Sequence, residues 1–171
     1  ALHIAEPVRL ICREGRLAAL LADLAVHRLD MVIADRSMPN NLNVRGYSHL
    51  LGECGLTVFG APSLSTQLPG KFPALLNNAP FLLPGEDVAI RSRLLQWLEN
   101  NDLRPYIVGE FDDSALMKSF GQAGAGLFVA PSAIAEQICQ QYKVVALGCI
   151  DSVLEQLYAI TTERRLTHPA I

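Results

Sequence analysis

Apolar residues along the chain occur either in short continuous runs or in stripes at helical spacing, and their alternation predicts an α/β protein. Four leucines recur at i, i+3, i+4 and i+7, as on the buried face of an amphipathic helix: Leu17, Leu20, Leu21 and Leu24. A mostly apolar segment precedes this helix at 8–12 and an apolar run follows it at 31–34, which is typical of buried strands. The three elements together predict a right-handed βαβ unit.

The same alternation continues through the rest of the chain. Three further helical stripes are formed by Ile90, Leu94, Trp97 and Leu98, by Leu116, Met117, Phe120 and Ala123, and by Ile134, Ile138 and Tyr142. Short apolar runs that predict strands lie at 81–83, 106–108, 127–130 and 144–147, and a short helix is expected at 72–76. Since Trp97 and Phe120 share their stripes with aliphatic residues, we expect both side chains in the core.

Polar residues beside these stripes predict where the helices begin and end. Asp87, Ser132 and either Asp112 or Asp113 can cap the helices that follow them, because their side-chain oxygens accept hydrogen bonds from otherwise unpaired N–H groups. Asparagines at 100–101 provide a left-handed stop for the preceding helix.

Two segments are rich in strand formers and can carry the chain between two lobes. Residues 47–61 are interrupted by Gly52 and Gly55, which is consistent with two short strands or one long bent strand. Residues 155–162 alternate polar and apolar side chains and predict a strand, with 148–154 as the second crossing.

The glycine-rich stretch at 109–131 invites a nucleotide-binding interpretation, because Gly121, Gly124 and Gly126 lie close together. A dinucleotide fingerprint requires its glycines between a strand and the N-terminus of the following helix. Here the glycines follow a helix, so we expect Gly124 and Gly126 to end it in a left-handed conformation and to lead into a buried strand. The ligand-facing end of the stretch is therefore predicted at 112–114.

Polar turns follow several predicted strands, at the edge where open parallel sheets generally bind ligands. Arg13 can bind a carboxylate through two parallel hydrogen bonds. Asp35 and Arg36 can do the same, or they can pair with each other in solvent.

Acidic pairs begin two of the predicted helices, Glu86 with Asp87 and Asp112 with Asp113. Each pair can contact a ligand, and the second pair can also act as paired carboxylates in acid–base chemistry. Both positions have a purely structural explanation too, because a helix N-terminus stabilises negative charge. Capping is the simpler interpretation of both pairs.

Composition narrows the class of protein. The chain has 171 residues, 50% of them hydrophobic, and a mean hydropathy of +0.25, which is enough for sizeable buried cores. Its net charge is −3 and its 14 Lys and Arg are scattered, so we do not expect this chain to bind DNA by itself. Its apolar runs end before the roughly 18–20 residues of a membrane span, and no signal segment begins the chain. We expect a soluble cytoplasmic protein with no membrane partner.

Motifs for catalysis or metal binding are scarce. The cysteines lie far apart without a C-x-x-C pair, which favours reduced core thiols over a disulfide or metal site: Cys12, Cys54, Cys139 and Cys149. The histidines are isolated from one another, and the sequence contains no H-E-x-x-H, G-x-S-x-G or Walker motif. We therefore expect neither an enzyme nor a cofactor.

Two segments carry a resemblance to a known family. One is Leu-Asp-Met-Val-Ile-Ala-Asp at 29–35, and the more specific one runs from the acidic helix start at 112 to Ala-Gly-Ala-Gly-Leu-Phe-Val-Ala-Pro at 123–131. With them, nearly the whole chain resembles the effector-binding domain of LysR-type transcription regulators. Within that family, the sequence of residues 11–15 and 109–124 is most similar to that of activators of a sodium/proton antiporter gene.

The resemblance implies a two-lobed α/β fold of the periplasmic-binding-protein type II kind, with two crossover strands and an effector bound between the lobes. Lobe I is expected at 1–57 and 148–171, and lobe II at 58–147. The family also carries an N-terminal winged helix-turn-helix, which is absent from this chain. Because the first strand of lobe I, its effector-contacting turn and the final helix are missing too, we expect a fragment with an incomplete pocket.

On the family pattern, the effector-contacting turns fall on twelve residues: Arg13, Glu14, Asp35, Arg36, Gly85, Glu86, Asp87, Val88, Phe111, Asp112, Asp113 and Ser114. The similarity to antiporter-gene activators implies Na⁺ or Li⁺ as the effector, and a hard cation requires oxygen ligands. The expected ligands are the carboxylates of Glu14, Asp35, Asp112 and Asp113.

The resemblance also implies partners. We expect a homodimer or homotetramer in which the helix at 16–29 meets a second-lobe helix of another copy, promoter DNA bound through the missing domain, and RNA polymerase. Two other classes stay open: a solute-binding protein of a transporter, which shares the fold, and an enzyme on the same scaffold. Residues upstream of Ala1 would distinguish the three, as a helix-turn-helix, a signal peptide or neither.

Overall fold

The computed structural model describes residues 9–39 and 45–163, and the chain divides into two compact units. Unit 1 comprises Ala1–Gly52 and Gln156–Ile171, and unit 2 comprises Glu53–Glu155. The lobe boundaries expected at 57/58 and 147/148 stay predictions. In chain order, the described elements are α1 (Leu17–Ala25), β1 (Val32–Ala34), β2 (Tyr47–Gly60), α2 (Pro62–Ser65), a 3-10 helix (Ala74–Leu76), β3 (Pro80–Pro84), α3 (Arg91–Asn100), β4 (Tyr106–Phe111), α4 (Ser114–Gln122), β5 (Phe128–Pro131), a second 3-10 helix (Ser132–Ile134), α5 (Ala135–Tyr142) and β6 (Val145–Thr161).

Unit 1 is organised around helix α1 and strand β1. Leu21 and Leu24 of α1 are fully buried and pack with Val32 and Ile160, as the leucine stripe predicts. Strand β1 pairs antiparallel with the carboxyl-terminal part of β6. The amphipathic helix therefore buries its leucines against this strand pair.

The strand predicted at 8–12 is wrong where the structure describes it, because residues 9–16 form neither a helix nor a strand. Val8 lies outside the described residues. A strand needs a hydrogen-bonded neighbour, and no strand in the described part of the chain pairs with this segment, whose Leu10 and Ile11 are exposed. The predicted right-handed βαβ unit is wrong as well, since β1 pairs antiparallel with a strand distant in sequence.

The segments assigned to the two crossings form two long continuous strands. Residues 47–60 are the single strand β2, so the one-strand alternative is confirmed. Residues 148–154 and 155–161 both belong to the single strand β6. Both strands belong to a four-stranded sheet with the order β1-β6-β2-β5, so β6 and β2 are its central strands.

Unit 2 is built around the parallel strand pair β3 and β4. Strand β3 is buried from 81 to 84, and its Leu82 N–H donates a hydrogen bond of 2.7 Å to the carbonyl of Leu127, just before β5. Strand β5 in turn pairs antiparallel with β2. Helices α3 and α4 add buried side chains, including Leu94 and Met117, to the two apolar clusters of this unit.

Three of the predicted helix ends are wrong. Helix α3 begins at Arg91, so Asp87 lies too early in the chain to cap it. The left-handed residue after α3 is Asp102, with φ 52°, which lies one position beyond the predicted stop. Ser132 does not cap a helix, because its Oγ pairs with the buried Thr57 Oγ1 at 2.8 Å.

Helix α4 packs against the rest of unit 2 through its smallest residue, Gly121. Met117 and Gly121 are its buried positions, and the ring of Phe128 occupies the space that a Cβ at Gly121 would fill. Phe120 is consequently 47% exposed, and Leu116 is exposed to a similar extent. The prediction that Leu116 and Phe120 share the buried face is therefore wrong, and Phe120 is not a core residue.

Other expectations for unit 2 are confirmed. Gly124 has φ 82°, the left-handed conformation expected where α4 ends. A Cβ at Gly126 would lie 3.1 Å from Leu82, in agreement with tight packing ahead of β5. Trp97 packs against the core, and its ring stacks on that of Phe72 with the centroids 6.2 Å apart.

The described residues include all four cysteines. All four cysteines are free thiols there, but Cys12 and Cys149 are exposed rather than in the core. Across the described ranges, no helix combines the length and apolar character needed to cross a membrane.

Candidate functional site

Two turns of unit 2 lie side by side because the strands before them are parallel. Strands β3 and β4 end together, with Pro84 opposite Phe111 in the register. The chain leaves β3 into residues 85–88 and leaves β4 into residues 112–114. These two segments, called the paired turns below, contain all the predicted site residues of unit 2 except Phe111, which ends β4 and contacts the ring of Phe120 with the centroids 5.2 Å apart.

The closest contact between the paired turns is at Gly85. Its N–H donates a hydrogen bond of 2.7 Å to the Phe111 carbonyl, which extends the strand pairing into the turn. A Cβ at Gly85 would overlap Asp112 Oδ1 and would lie 3.1 Å from Asp112 Cα. The carboxylate and the backbone of the second turn therefore leave no room for a side chain on the first.

Asp113 caps helix α4, which confirms one of the two capping alternatives. Its Oδ1 accepts hydrogen bonds from the N–H groups of Leu116 at 3.0 Å and Ala115 at 2.7 Å. These two bonds lower the pKa of the Asp113 carboxyl below its ordinary value. The neighbouring Ser114 Oγ accepts a hydrogen bond from Lys118 Nζ at 3.3 Å. Asp113 is thus engaged by the helix N-terminus.

Two side chains of the paired turns, Asp112 and Glu86, are available for a ligand. Asp112 and Glu86 are exposed and form no hydrogen bond or ion pair within the described residues, and Asp87 is exposed as well. Val88 is half-buried against the core of unit 2, and its N–H closes the first turn by donating to the Gly85 carbonyl at 3.1 Å. Asp112 therefore presents a carboxylate at the point where the two turns meet.

Arg91, which is not among the predicted site residues, forms hydrogen bonds to both strands just before the paired turns. Its Nη1 donates hydrogen bonds to the Pro84 carbonyl at 2.6 Å and to Glu110 Oε2 at 2.7 Å. The hydrogen bond from Arg91, aided by its charge, lowers the pKa of the Glu110 carboxyl. Arg91 occupies the first position of α3, where a cation is unfavourable, but the sequence predicts an earlier helix start after Asp87 and so does not indicate this role.

The other four candidate residues belong to unit 1. Asp35 and Arg36 pair with each other, with Arg36 Nε 2.9 Å from Asp35 Oδ1 and Arg36 Nη2 3.2 Å from Asp35 Oδ2. Of the two alternatives for this pair, mutual pairing is the one the structure shows. Arg13 and Glu14 are exposed and precede α1, whose N-cap residue makes no side-chain capping bond.

The expected cation ligands do not form a cluster. Within residues 9–39 and 45–163, no group of three or more His, Cys, Asp or Glu side chains could hold a metal ion. Glu14 and Asp35 lie in unit 1, whereas Asp112 and Asp113 lie in unit 2. Asp35 pairs with an arginine and Asp113 caps a helix. The sodium site therefore stays a prediction.

Exposed turns at the carboxyl ends of parallel strands, as in unit 2, lie at the edge where open α/β sheets generally bind ligands. A family model described as the LysR substrate binding domain matches residues 6–171, and the chain belongs to this family. The match confirms the predicted fold class, the two-lobed α/β fold of periplasmic-binding-protein type II. Because the family consists of transcription regulators, the match decides against the enzyme and transporter alternatives.

The chain is similar in sequence to curated transcription activators. It is 37% identical over 166 residues to the Transcriptional activator protein NhaR of Escherichia coli (strain K12), and the alignment covers 97% of this chain and 54% of that protein. The same figures hold for NhaR of Shigella flexneri. The chain thus spans about half the length of the curated relatives it matches.

Solved structures with the same fold come from other regulators. The regulatory domain of HypT from Salmonella typhimurium, in its apo form, has a TM-score of 0.66 and 16% identity, over 91% of this chain and 74% of that one. Vibrio fischeri DarR in complex with DNA has a TM-score of 0.69 and 18% identity, over 92% and 53%. The effector binding domain of QuiR in complex with shikimate has a TM-score of 0.62 and 16% identity, over 91% and 73%. At these identities the likeness shows the fold alone.

Proposed function

We propose that the chain is the effector-sensing domain of a LysR-type transcription activator that controls a sodium/proton antiporter gene in response to Na⁺ or Li⁺. The main support for effector sensing is the pair of turns at the ends of β3 and β4, where the Asp112 carboxylate has no partner among the described residues. Two such turns at the carboxyl ends of parallel strands are the usual ligand-binding edge of an α/β fold. The 37% identity to an activator supports the regulatory part of the proposal.

The sodium part of the proposal is supported by the sequence similarity and by ligand chemistry. Hard cations take oxygen ligands, and carboxylates supply both oxygen and charge. Asp112 is the best placed of the four expected ligands, because its carboxylate is exposed, makes no pair within the described residues and lies against the other turn. Glu14 is exposed too, whereas Asp35 and Asp113 would have to share their oxygens with their present partners.

An NMR titration of the full-length protein with NaCl tests the effector, with KCl at equal ionic strength as the control. We expect sodium, and not potassium, to shift the amide signals of the paired turns. Asp112→Asn should abolish that response. Asp102→Asn makes the same chemical change at an exposed residue before β4 rather than after it, and should leave the response intact. Equal shifts with both salts would reject a cation and leave a small organic effector.

The regulator's other partners would act through parts of the protein outside this chain. The chain covers 54% of NhaR, which leaves room for a DNA-binding domain, and the similar fold in DarR was solved in complex with DNA. We therefore propose a cytoplasmic activator that binds promoter DNA and recruits RNA polymerase. Transcription in vitro from the antiporter promoter should rise with sodium in the full-length protein and should lose this dependence in Asp112→Asn. An in vitro transcription rate that is the same with and without the regulator would contradict the proposal.

A second copy of the chain is the partner for which unit 2 has a suitable surface. Tyr106, Ile107 and Val108 of β4 are exposed, Tyr106 by 68%, and Leu95 of the neighbouring helix α3 is exposed as well. In the described residues, β4 pairs with β3 alone, so its other edge has unpaired backbone groups. A homodimer in which α1 of one copy meets α3 of the other would cover this apolar surface.

Light scattering of the purified chain tests the homodimer. We expect the mass of a dimer, and the mass of a monomer after Tyr106→Lys, because burying an unpaired ammonium at an interface is unfavourable. Ile134→Lys introduces the same charge at an exposed apolar residue beside α5 and should leave the dimer intact. A monomeric wild type, or equal effects of both substitutions, would contradict this arrangement.

A further inference from the structure

Arg91 joins two strands at the point where both turns begin. Its Nη1 lies 2.6 Å from the Pro84 carbonyl oxygen and 2.7 Å from Glu110 Oε2. Pro84 ends β3, and Glu110 is the next-to-last residue of β4. The Arg91 side chain is only 17% exposed. One guanidinium group, shielded from solvent, therefore contacts both strands immediately before the paired turns.

Helix stability does not explain why an arginine occupies this position. A cation at the first residue of a helix is disfavoured by the positive end of the helix dipole. The hydrogen bonds to the two strands offset this cost, because charge-assisted bonds are stronger than neutral ones. The bond to Pro84 also closes residues 85–90 into a loop with its two ends held together. The arrangement stabilises the turns rather than the helix.

We propose that Arg91 is a positioning residue for the effector site and that Glu110 orients its guanidinium group. This inference rests on the proposed function of the paired turns as effector-contacting segments. By holding Pro84 and Glu110 at one nitrogen, Arg91 sets the separation of the turns so that Gly85 stays against Asp112. The hydrogen bond also lowers the pKa of the Glu110 carboxyl, which keeps this partner charged.

Amide hydrogen exchange of the full-length protein without added sodium tests the positioning directly. Arg91→Met removes both hydrogen bonds and keeps an unbranched stem. We expect the Gly85 and Val88 amides to exchange about tenfold faster in this variant, while the Leu82 amide in the core keeps its rate. Arg93→Met, at an exposed arginine of the same helix, should change none of the three. If the Gly85 and Val88 amides exchange no faster in Arg91→Met than in Arg93→Met, the proposal is overturned.

A sodium titration of the same variants separates positioning from folding. Arg91→Met should raise the sodium concentration at half-saturation several-fold while the shift at saturation is retained, because the ligands are present but less well placed. Arg91→Lys keeps a charged donor without the planar fork and should restore part of the affinity. An unchanged midpoint in Arg91→Met would overturn the proposal.

Failure of the positioning role and failure of the sodium assignment are distinguishable. If the wild type shows no sodium-specific shift, the sodium assignment fails, and amide exchange still decides whether Arg91 positions the turns. If Arg91→Met does not fold, Glu110→Gln replaces it, since its amide oxygen still accepts a hydrogen bond but carries no charge. Exchange at Gly85 should then rise about threefold. Unchanged exchange would overturn the orienting role of Glu110 and the proposal with it.

Discussion

The two units hold their candidate residues differently because their strands pair differently. In unit 2, β3 and β4 are parallel, so two turns leave the same edge of the sheet and Gly85 meets Asp112. In unit 1, β1 is antiparallel to β6, and Ala34 at the end of β1 lies opposite Tyr158, which is inside β6 rather than at its end. Parallel pairing thus builds a site from two turns. Antiparallel pairing leaves a single turn at this point, in which Asp35 pairs with its arginine neighbour.

This difference predicts that a side chain added where the paired turns meet is costly and that substitutions in the turn after β1 are tolerated. The largest effect is expected for Gly85→Ala, because its methyl group would overlap the Asp112 carboxylate and press on the Asp112 backbone. We expect a loss of about 1–3 kcal/mol in the free energy of unfolding, measured with urea. Gly52→Ala on β2 is the matched control, since nothing lies within 4 Å of its added Cβ. Equal losses in both variants would show that the turns are not in contact.

Asp113→Ala is expected to destabilise the protein less than Gly85→Ala, through loss of the cap on α4. Because the hydrogen bonds from Leu116 and Ala115 lower the pKa of Asp113 in the folded state, its contribution is present above the unfolded value near 3.8. The contribution is lost as the pH falls through the folded pKa. Urea unfolding of wild type and variant should therefore differ at neutral pH and converge in acid.

The control for the cap is Asp112→Ala, which removes the adjacent carboxylate without removing a hydrogen bond within the described residues. This variant should unfold like the wild type at neutral pH. A difference between Asp113→Ala and wild type that persists unchanged in strong acid would contradict the capping account.

Periodicity in the sequence predicts those parts of the fold in which burial follows side-chain size. The leucine stripe of α1 is such a case, and Leu21 and Leu24 are fully buried. Helix α4 differs, because a glycine faces the ring of Phe128 and the larger Phe120 is left outside. The strand expected at 8–12 fails for another reason: apolar composition does not supply a pairing partner.

The candidate site is predictable only to the level of single turns. Loop composition and the family resemblance select Gly85 and Asp112 separately, since each follows a short apolar run. Their contact depends on the register of β3 and β4, which brings Pro84 opposite Phe111 and includes an irregularity after Phe81. Arg91 escapes prediction because its partners are a backbone carbonyl and a carboxylate 19 positions away in the chain. Neither partner leaves a pattern in the local sequence.

The smallest effect is expected in unit 1, for Arg36→Met. Its ion pair with Asp35 is partly solvent-exposed, and exposed pairs contribute only about 0–1 kcal/mol because water screens the charges. Arg45→Met, at an exposed arginine before β2, is the matched control, and the two variants should differ by less than about 0.5 kcal/mol in urea unfolding. A loss in Arg36→Met as large as that of Gly85→Ala would mean that the turn after β1 is held as tightly as the paired turns. The contrast between parallel and antiparallel strand ends would then not explain where this protein keeps its site.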